Sequence, residues 1–185
     1  GLPFTLTRRH TVNPLSASFR QDLTEFLGVC RVVRGLRRAR IGAVGARPNA
    51  FNTTRYSEKL LQGAGISVNT IDLSEVFGNA ERIADDDPRV KDRLDQIHGY
   101  APCGDTPGRS LRQMAKLAIV LSAWMQEYDL QATAIQCWTS MQRNYGINPC
   151  TVMSMMSERL MPSACEVDIT GVVSMYALQL ASETP

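Results

Sequence analysis

The sequence predicts an α/β fold: a doubly wound, mostly parallel sheet of roughly four strands with helices on both faces. Two observations predict it. Short apolar runs at 40–46, 66–72, 132–138 and 163–167 alternate with longer stretches of helical period. Breakers punctuate the junctions, among them Gly63, Gly65, Asp85-Asp86-Asp87-Pro88 and Pro162.

Residues 1–14 read as an irregular arm. A helix is predicted over 16–38, where Leu23, Phe26, Leu27, Cys30, Val33 and Leu36 recur at helical spacing. The strand at 40–46 is followed by a polar loop over 47–54 and a helix over 55–63, closed by Gly63 and Gly65. After the strand at 66–72, helices are predicted over 73–84 and 88–97. The Asp run caps the second of these, and Pro88 fits its first turn. A loop at 99–107 leads to a long helix over 110–128, with Leu111, Met114, Leu117, Ala118, Leu121 and Trp124 facing inward. The strand at 132–138, a short helical start at 139–145 and a helix over 148–160 follow. Pro162 ends that helix, because proline lacks an N–H and clashes with the turn before it. The last strand, 163–167, delivers the chain to Asp168, a good N-cap for a helix over 169–182. Met153, Met155 and Met156 read as core filler.

The 185 residues support one domain with a sizeable core: an N-terminal arm and helix over 1–39, then an α/β domain over 40–185. The net charge of +2 is too small to argue for nucleic acid or a membrane surface. No apolar run approaches the ~18 residues needed to span a bilayer, and no signal-peptide pattern opens the chain. Arg31, Arg34, Arg37, Arg38 and Arg40 crowd into ten residues. They read as a solvated helix face or interdomain surface, with anion binding as the alternative. The five cysteines are odd in number and show no CxxC spacing, which excludes the usual zinc patterns. They read as reduced, mostly buried thiols. Gly42-Ala43-Val44-Gly45 lacks the spacing of a dinucleotide fingerprint.

Candidate chemistry gathers at the carboxyl ends of the strands, where open α/β sheets bind ligands. Glu166 stands within about one residue of the last strand's end. A buried carboxylate must be answered by a charge. From position alone it is either a structural partner of an arginine or a functional group. Arg47 opens the loop after the first strand, which lines a pocket, makes a subunit contact or is simply structural. Trp138 can stack on a sugar face or be plain core, and Gln136 can hydrogen-bond hydroxyls.

Several segments break this tie by resemblance. They are Ala134-Ile135-Gln136-Cys137-Trp138-Thr139-Ser140, Asn148-Pro149-Cys150-Thr151-Val152-Met153-Ser154 and Ala164-Cys165-Glu166-Val167-Asp168, followed by Gly171 and Ser174-Met175. Upstream stand Arg40-Ile41-Gly42-Ala43-Val44-Gly45-Ala46-Arg47-Pro48 and Gly65-Ile66-Ser67-Val68-Asn69-Thr70-Ile71-Asp72-Leu73-Ser74-Glu75. In this order they resemble the L-fucose isomerase and related ketol-isomerase family, over roughly 40–181. The resemblance implies a cytoplasmic homo-oligomer. It also implies Mn²⁺ or another divalent cation and a free sugar such as L-fucose or L-arabinose. The sugar isomerises through an ene-diol as a proton moves between C1 and C2. Glu166 is then a metal ligand and acid/base group, and Gln136, Trp138 and Arg47 are substrate-binding candidates. The ligand chemistry is sound, since carboxylate oxygens suit hard cations.

The chain also departs from that family. The further carboxylate ligand belongs to a strand after the last helix, and a His ligand to a further domain. His10 and His98 are not placed to supply the latter. The expectation is therefore the central domain of a larger isomerase, inactive alone, with Gly at position 1 fitting an excised piece. The alternative is a non-catalytic sugar-binding or oligomerisation module.

Overall fold

A computed structural model describes residues 4–185. Four parallel strands, β1 (Arg40–Val44), β2 (Ser67–Ile71), β3 (Ala132–Ile135) and β4 (Ser163–Cys165), form one sheet in the order β2-β1-β3-β4. Seven α-helices surround it: α1 (Ala17–Leu36), α2 (Glu58–Gly63), α3 (Leu73–Glu81), α4 (Pro88–Tyr100), α5 (Gly108–Glu127), α6 (Cys150–Glu158) and α7 (Ile169–Ser182). The predicted α/β class is observed.

Strand alternation sorts the core into two layers. Ile41, Ala43, Ala132 and Ala134 face Ile169, Val172 and Tyr176 of α7, with Leu36 of α1 and Leu61 of α2 at the margins. Val44, Ile71 and Ile135 face the opposite way, onto Val76 of α3, Leu117, Leu121 and Trp124 of α5 and Val152 of α6. Gly42 is needed on this second face. A Cβ there would meet the Trp124 ring at 2.6 Å. Helix α4 forms an outer layer, its Val90 and Ile97 packed on Ala115 and Ile119 of α5.

The strands are shorter than the apolar runs suggest. Gly45 turns β1 away at φ +81°, β3 stops at Ile135, and Glu166 with Val167 leaves β4 in the left-handed region. Residues 139–145 form a π-helical turn at 141–145 rather than the start of an α-helix. Other boundaries move by a few residues, and α7 matches expectation. The predicted caps are present. Asp87 accepts from the Arg89 N–H, and Asp168 accepts from the Gly171 N–H at 2.8 Å.

The periodic stripe of α1 is not core. Leu23, Phe26, Leu27 and Val33 remain nearly half exposed and Cys30 is exposed. The helix docks instead through its glycines, Gly28 against Ala181 and Gly35 against Leu180. There the missing side chains let α7 approach. Arg31 seals the contact, its guanidinium donating to the Leu180 and Ala181 carbonyls at 2.9 Å each. It thereby satisfies the C-terminal acceptors of α7. Residues 4–14 carry no regular element, and Arg8 ties them to Asp22 and Glu25 of α1. The first three residues of the predicted arm lie outside the described residues. No described helix is long and apolar enough to cross a membrane.

Candidate active site at the sheet switch point

The strand order creates the site. From β1 the chain leaves through α2 toward β2, and from β3 it leaves through α6 toward β4. Neighbouring strands thus send their loops in opposite directions, opening a crevice at their carboxyl ends. A cavity of about 630 Å³ lies there, walled by residues 47–51 from the β1 loop and by Gln136, residues 138–140, Arg143 and Asn144 from the β3 loop. Its volume falls in the range of small-molecule sites.

Arg47, Gln136 and Trp138 all line this cavity. Trp138 is not core. It is 53% exposed, and its ring meets Phe51 edge-on with centroids 5.6 Å apart. The Trp138–Thr139 peptide is cis. Gln136 is committed to backbone. Its Oε1 accepts the Ala46 N–H at 2.8 Å and its Nε2 donates to the Trp138 carbonyl at 3.2 Å, so one amide ties the two loops together. Gly45 makes room for it, since a Cβ there would fall 2.5 Å from Oε1. Arg47 is tied to its own loop, one terminal nitrogen donating to the carbonyls of Pro48, Asn49 and Phe51 at 2.8–3.2 Å. Both side chains therefore build the cavity wall.

Glu166 lies behind that wall and is only 6% exposed. The Trp138 N–H sits 3.3 Å from each of its carboxylate oxygens, and the Cys165 thiol donates to Oε1 at 3.3 Å. Among the described residues no ion pair includes Glu166. The structural-arginine reading therefore has no partner to support it. Glu166 and Val167 adopt φ of 57° and 55°. For a β-branched valine this is a true outlier, and two successive left-handed residues cost on the order of 1–3 kcal/mol each. Such strain concentrates at functional sites.

Two thiols accompany the acid. Cys137 Sγ, Cys165 Sγ and a Glu166 oxygen lie within 4.8 Å of one another, a group that could hold a metal ion. The Ile135–Cys165 register of β3 and β4 assembles it from positions 28 residues apart, outside any zinc spacing legible in the sequence. Desolvation, then the bond to Glu166, pushes the Cys165 thiol up to about 12, although part of that residue meets solvent. Desolvation and then the neighbouring Cys150 raise Cys137. Of the three, the carboxylate suits a hard cation and the thiols suit softer ones. The expectation of mostly buried cysteines fails more widely. All five are free, but only Cys137 is buried, because Cys30, Cys150 and Cys165 fall on helix faces or strand ends that meet solvent.

The sequence did not single out the cavity's far wall: Thr139, Ser140, Arg143 and Asn144. Its only signal was a polar run after Trp138, and the π-helical turn that aims it has no periodic signature.

No protein-family model matches the chain. It is similar to proteins named sulfoquinovose isomerase. The identity is 27% over 170 residues to that of Priestia megaterium (90% of this chain, 37% of the relative). It is 27% over 173 residues to that of Alkalicoccus urumqiensis (92% and 38%) and 26% over 157 residues to that of Clostridium sp. (82% and 34%). The chain thus spans little more than a third of the length of the relatives it matches. These relatives are named for a sugar isomerase, and none of them is named L-fucose isomerase.

Proposed function

We propose that this chain supplies part of the active centre of a sugar aldose–ketose isomerase, with Glu166 as a ligand to a divalent cation and as an acid/base group. The observation that carries this reading is a carboxylate more than nine-tenths buried, bonded to a backbone N–H and a thiol, with no cationic side chain paired to it among the described residues. Such a group is costly unless a cation arrives. Its hard oxygens suit Mn²⁺ or a similar ion, with further ligands drawn from outside this chain.

When bound, the cation would act as a Lewis acid on the carbonyl and hydroxyl oxygens of an open-chain sugar. The chain's own residues have complementary tasks. Glu166 holds the ion and stands ready to move a proton between neighbouring carbons. The Trp138 N–H fixes the carboxylate's direction, and burial keeps water from it. The exposed Trp138 ring offers an apolar face for sugar C–H groups. Gln136 and Arg47 keep the two loops at the spacing that forms the cavity.

The relatives' name makes sulfoquinovose the candidate substrate, ahead of L-fucose or L-arabinose. One carboxylate cannot hold a hard cation that takes about six ligands, so the chain alone is expected to be inactive. The test is sulfoquinovose isomerisation by the complete protein with Mn²⁺, wild type against Glu166→Gln. Metal-dependent turnover lost in the variant supports the reading. Sugar binding without metal uptake or turnover would favour the non-catalytic module.

A further inference from the structure

The charge of the cavity has a consequence for its ligand. Eleven residues line it, including two arginines, Arg47 and Arg143, and no aspartate or glutamate. Arg47 commits one terminal nitrogen of its guanidinium to loop carbonyls. Arg143 does not. It projects from the π-helical turn 141–145, and among the described residues its side chain has no ion-pair partner and no hydrogen-bond acceptor. Two other crevices that hold basic groups also hold acids: Asp85 faces Arg112 and Lys116 in one, and Asp129 shares another with Arg31, Arg34 and Arg38. A narrow third crevice holds Arg93 and Arg159 without an acid, but both of these bond to Gln96.

Around Arg143 stand neutral polar groups. Asn144 donates to the Ser140 hydroxyl at 2.9 Å, and Thr139 and Asn49 share the wall. The half-exposed Trp138 ring lines the same cavity. A guanidinium with free donors, hydroxyls and amides beside it and an aromatic ring in the same cavity form a complementary surface for one ligand type. That ligand is a polyhydroxylated carbon chain ending in a fully ionised oxyanion. Glu166 is joined to the same wall through the Trp138 N–H.

We propose that Arg143 is the specificity-determining residue of this site, recognising the oxyanion of a sulfonated or phosphorylated sugar. This rests on the sugar-site reading above but not on the isomerisation step. It separates such substrates from neutral sugars, which leave Arg143 with nothing to pair.

The experiment is a ¹⁵N–¹H NMR titration of the 185-residue chain with four probes: sulfoquinovose, glucose 6-phosphate, glucose and inorganic sulfate. At least one anionic sugar should bind about tenfold or more tighter than both glucose and sulfate, the size expected of one charge-assisted contact. The ranking of the two anionic sugars identifies sulfonate or phosphate as the source. Arg143→Gln should erase the preference over glucose, and Arg143→Lys should keep part of it. Because the Arg143 side chain is exposed and makes no hydrogen bond or ion pair among the described residues, both variants should give wild-type spectra. Arg34→Gln, in the basic cluster at the opposite end of the sheet, should change nothing. Glucose binding as tightly as the anionic sugars, sulfate binding as tightly as they do, or a preference surviving Arg143→Gln would each overturn the proposal. Glu166→Gln separates this from the isomerase reading. It should leave the anion preference intact, so loss of turnover in the complete protein bears on the chemistry alone.

Discussion

The Trp138 N–H lies 3.3 Å from both oxygens of the Glu166 carboxylate. This one contact joins the residue that forms the cavity's aromatic face to the acid buried behind it. It couples two loops that leave neighbouring strands, β3 and β4. The site therefore depends on loop geometry as much as on the acid, and the variants below probe both.

Gly45 sets the β1 exit. At φ +81° a side chain is strained, and a Cβ would meet Gln136 Oε1 at 2.5 Å and Leu73 Cγ at 2.8 Å. Gly45→Ala should destabilise the chain by about 1–3 kcal/mol in urea unfolding. Gly63→Ala is the control. It sits in the last turn of α2 with open space around it, and should be neutral or stabilising by up to about 1 kcal/mol.

Gln136→Leu removes the acceptor of the Ala46 N–H and the donor to the Trp138 carbonyl while keeping the side chain's bulk. Chemical denaturation should show a loss of about 1 kcal/mol. The Trp138 amide resonance should shift as the two loops lose their tie. An unchanged Trp138 resonance would contradict the positioning role.

Asp87 caps α4, and its pairing with the Arg89 side chain and backbone N–H lowers its carboxyl to about 2. A depressed carboxyl stabilises the fold above its unfolded value, near 3.9. That contribution is lost as pH falls from about 4 through about 2. Carboxyl NMR should place the midpoint near 2, and Asp87→Asn should flatten that part of the acid-stability profile. A midpoint near 4 would refute the pairing.

Thiol counting on denatured protein prepared without reductant should find five thiols. In the native state Cys30 and Cys150 should react early, and Cys137, 3% exposed, should react only on opening of the fold. A count of three or fewer would show disulfides that the structure does not contain.

Much of this architecture is legible in the sequence because burial imposes periodicity. The inward face of α5 and the four strand cores follow from alternation and helical spacing alone. So do the Asp87 and Asp168 caps, which answer a local need of the backbone. The α1 stripe misleads because periodicity reports an apolar face and not what covers it. Gly28 and Gly35, which carry no hydrophobic signal, decide where that helix docks. Arg47, Gln136, Trp138 and Glu166 stand out in the sequence because strand ends are readable and because the family resemblance falls on their segments. The tasks of Arg47 and Gln136 as loop supports were not readable, since those depend on which carbonyls the folded loops present. Cys137 and Cys165 meet through strand pairing, a relation between distant positions that spacing rules do not address.

The central claim is that the buried Glu166 carboxylate serves chemistry and not folding. Thermal unfolding of the chain with Glu166→Gln, in metal-free buffer near pH 7, tests it most directly. Glutamine keeps the volume and an acceptor for the Trp138 N–H while removing an unanswered buried charge. The account predicts a melting temperature equal to or above that of the wild type. A drop of several degrees, equivalent to about 1–2 kcal/mol or more, would mean that a cationic partner is stranded by the change, and would contradict it.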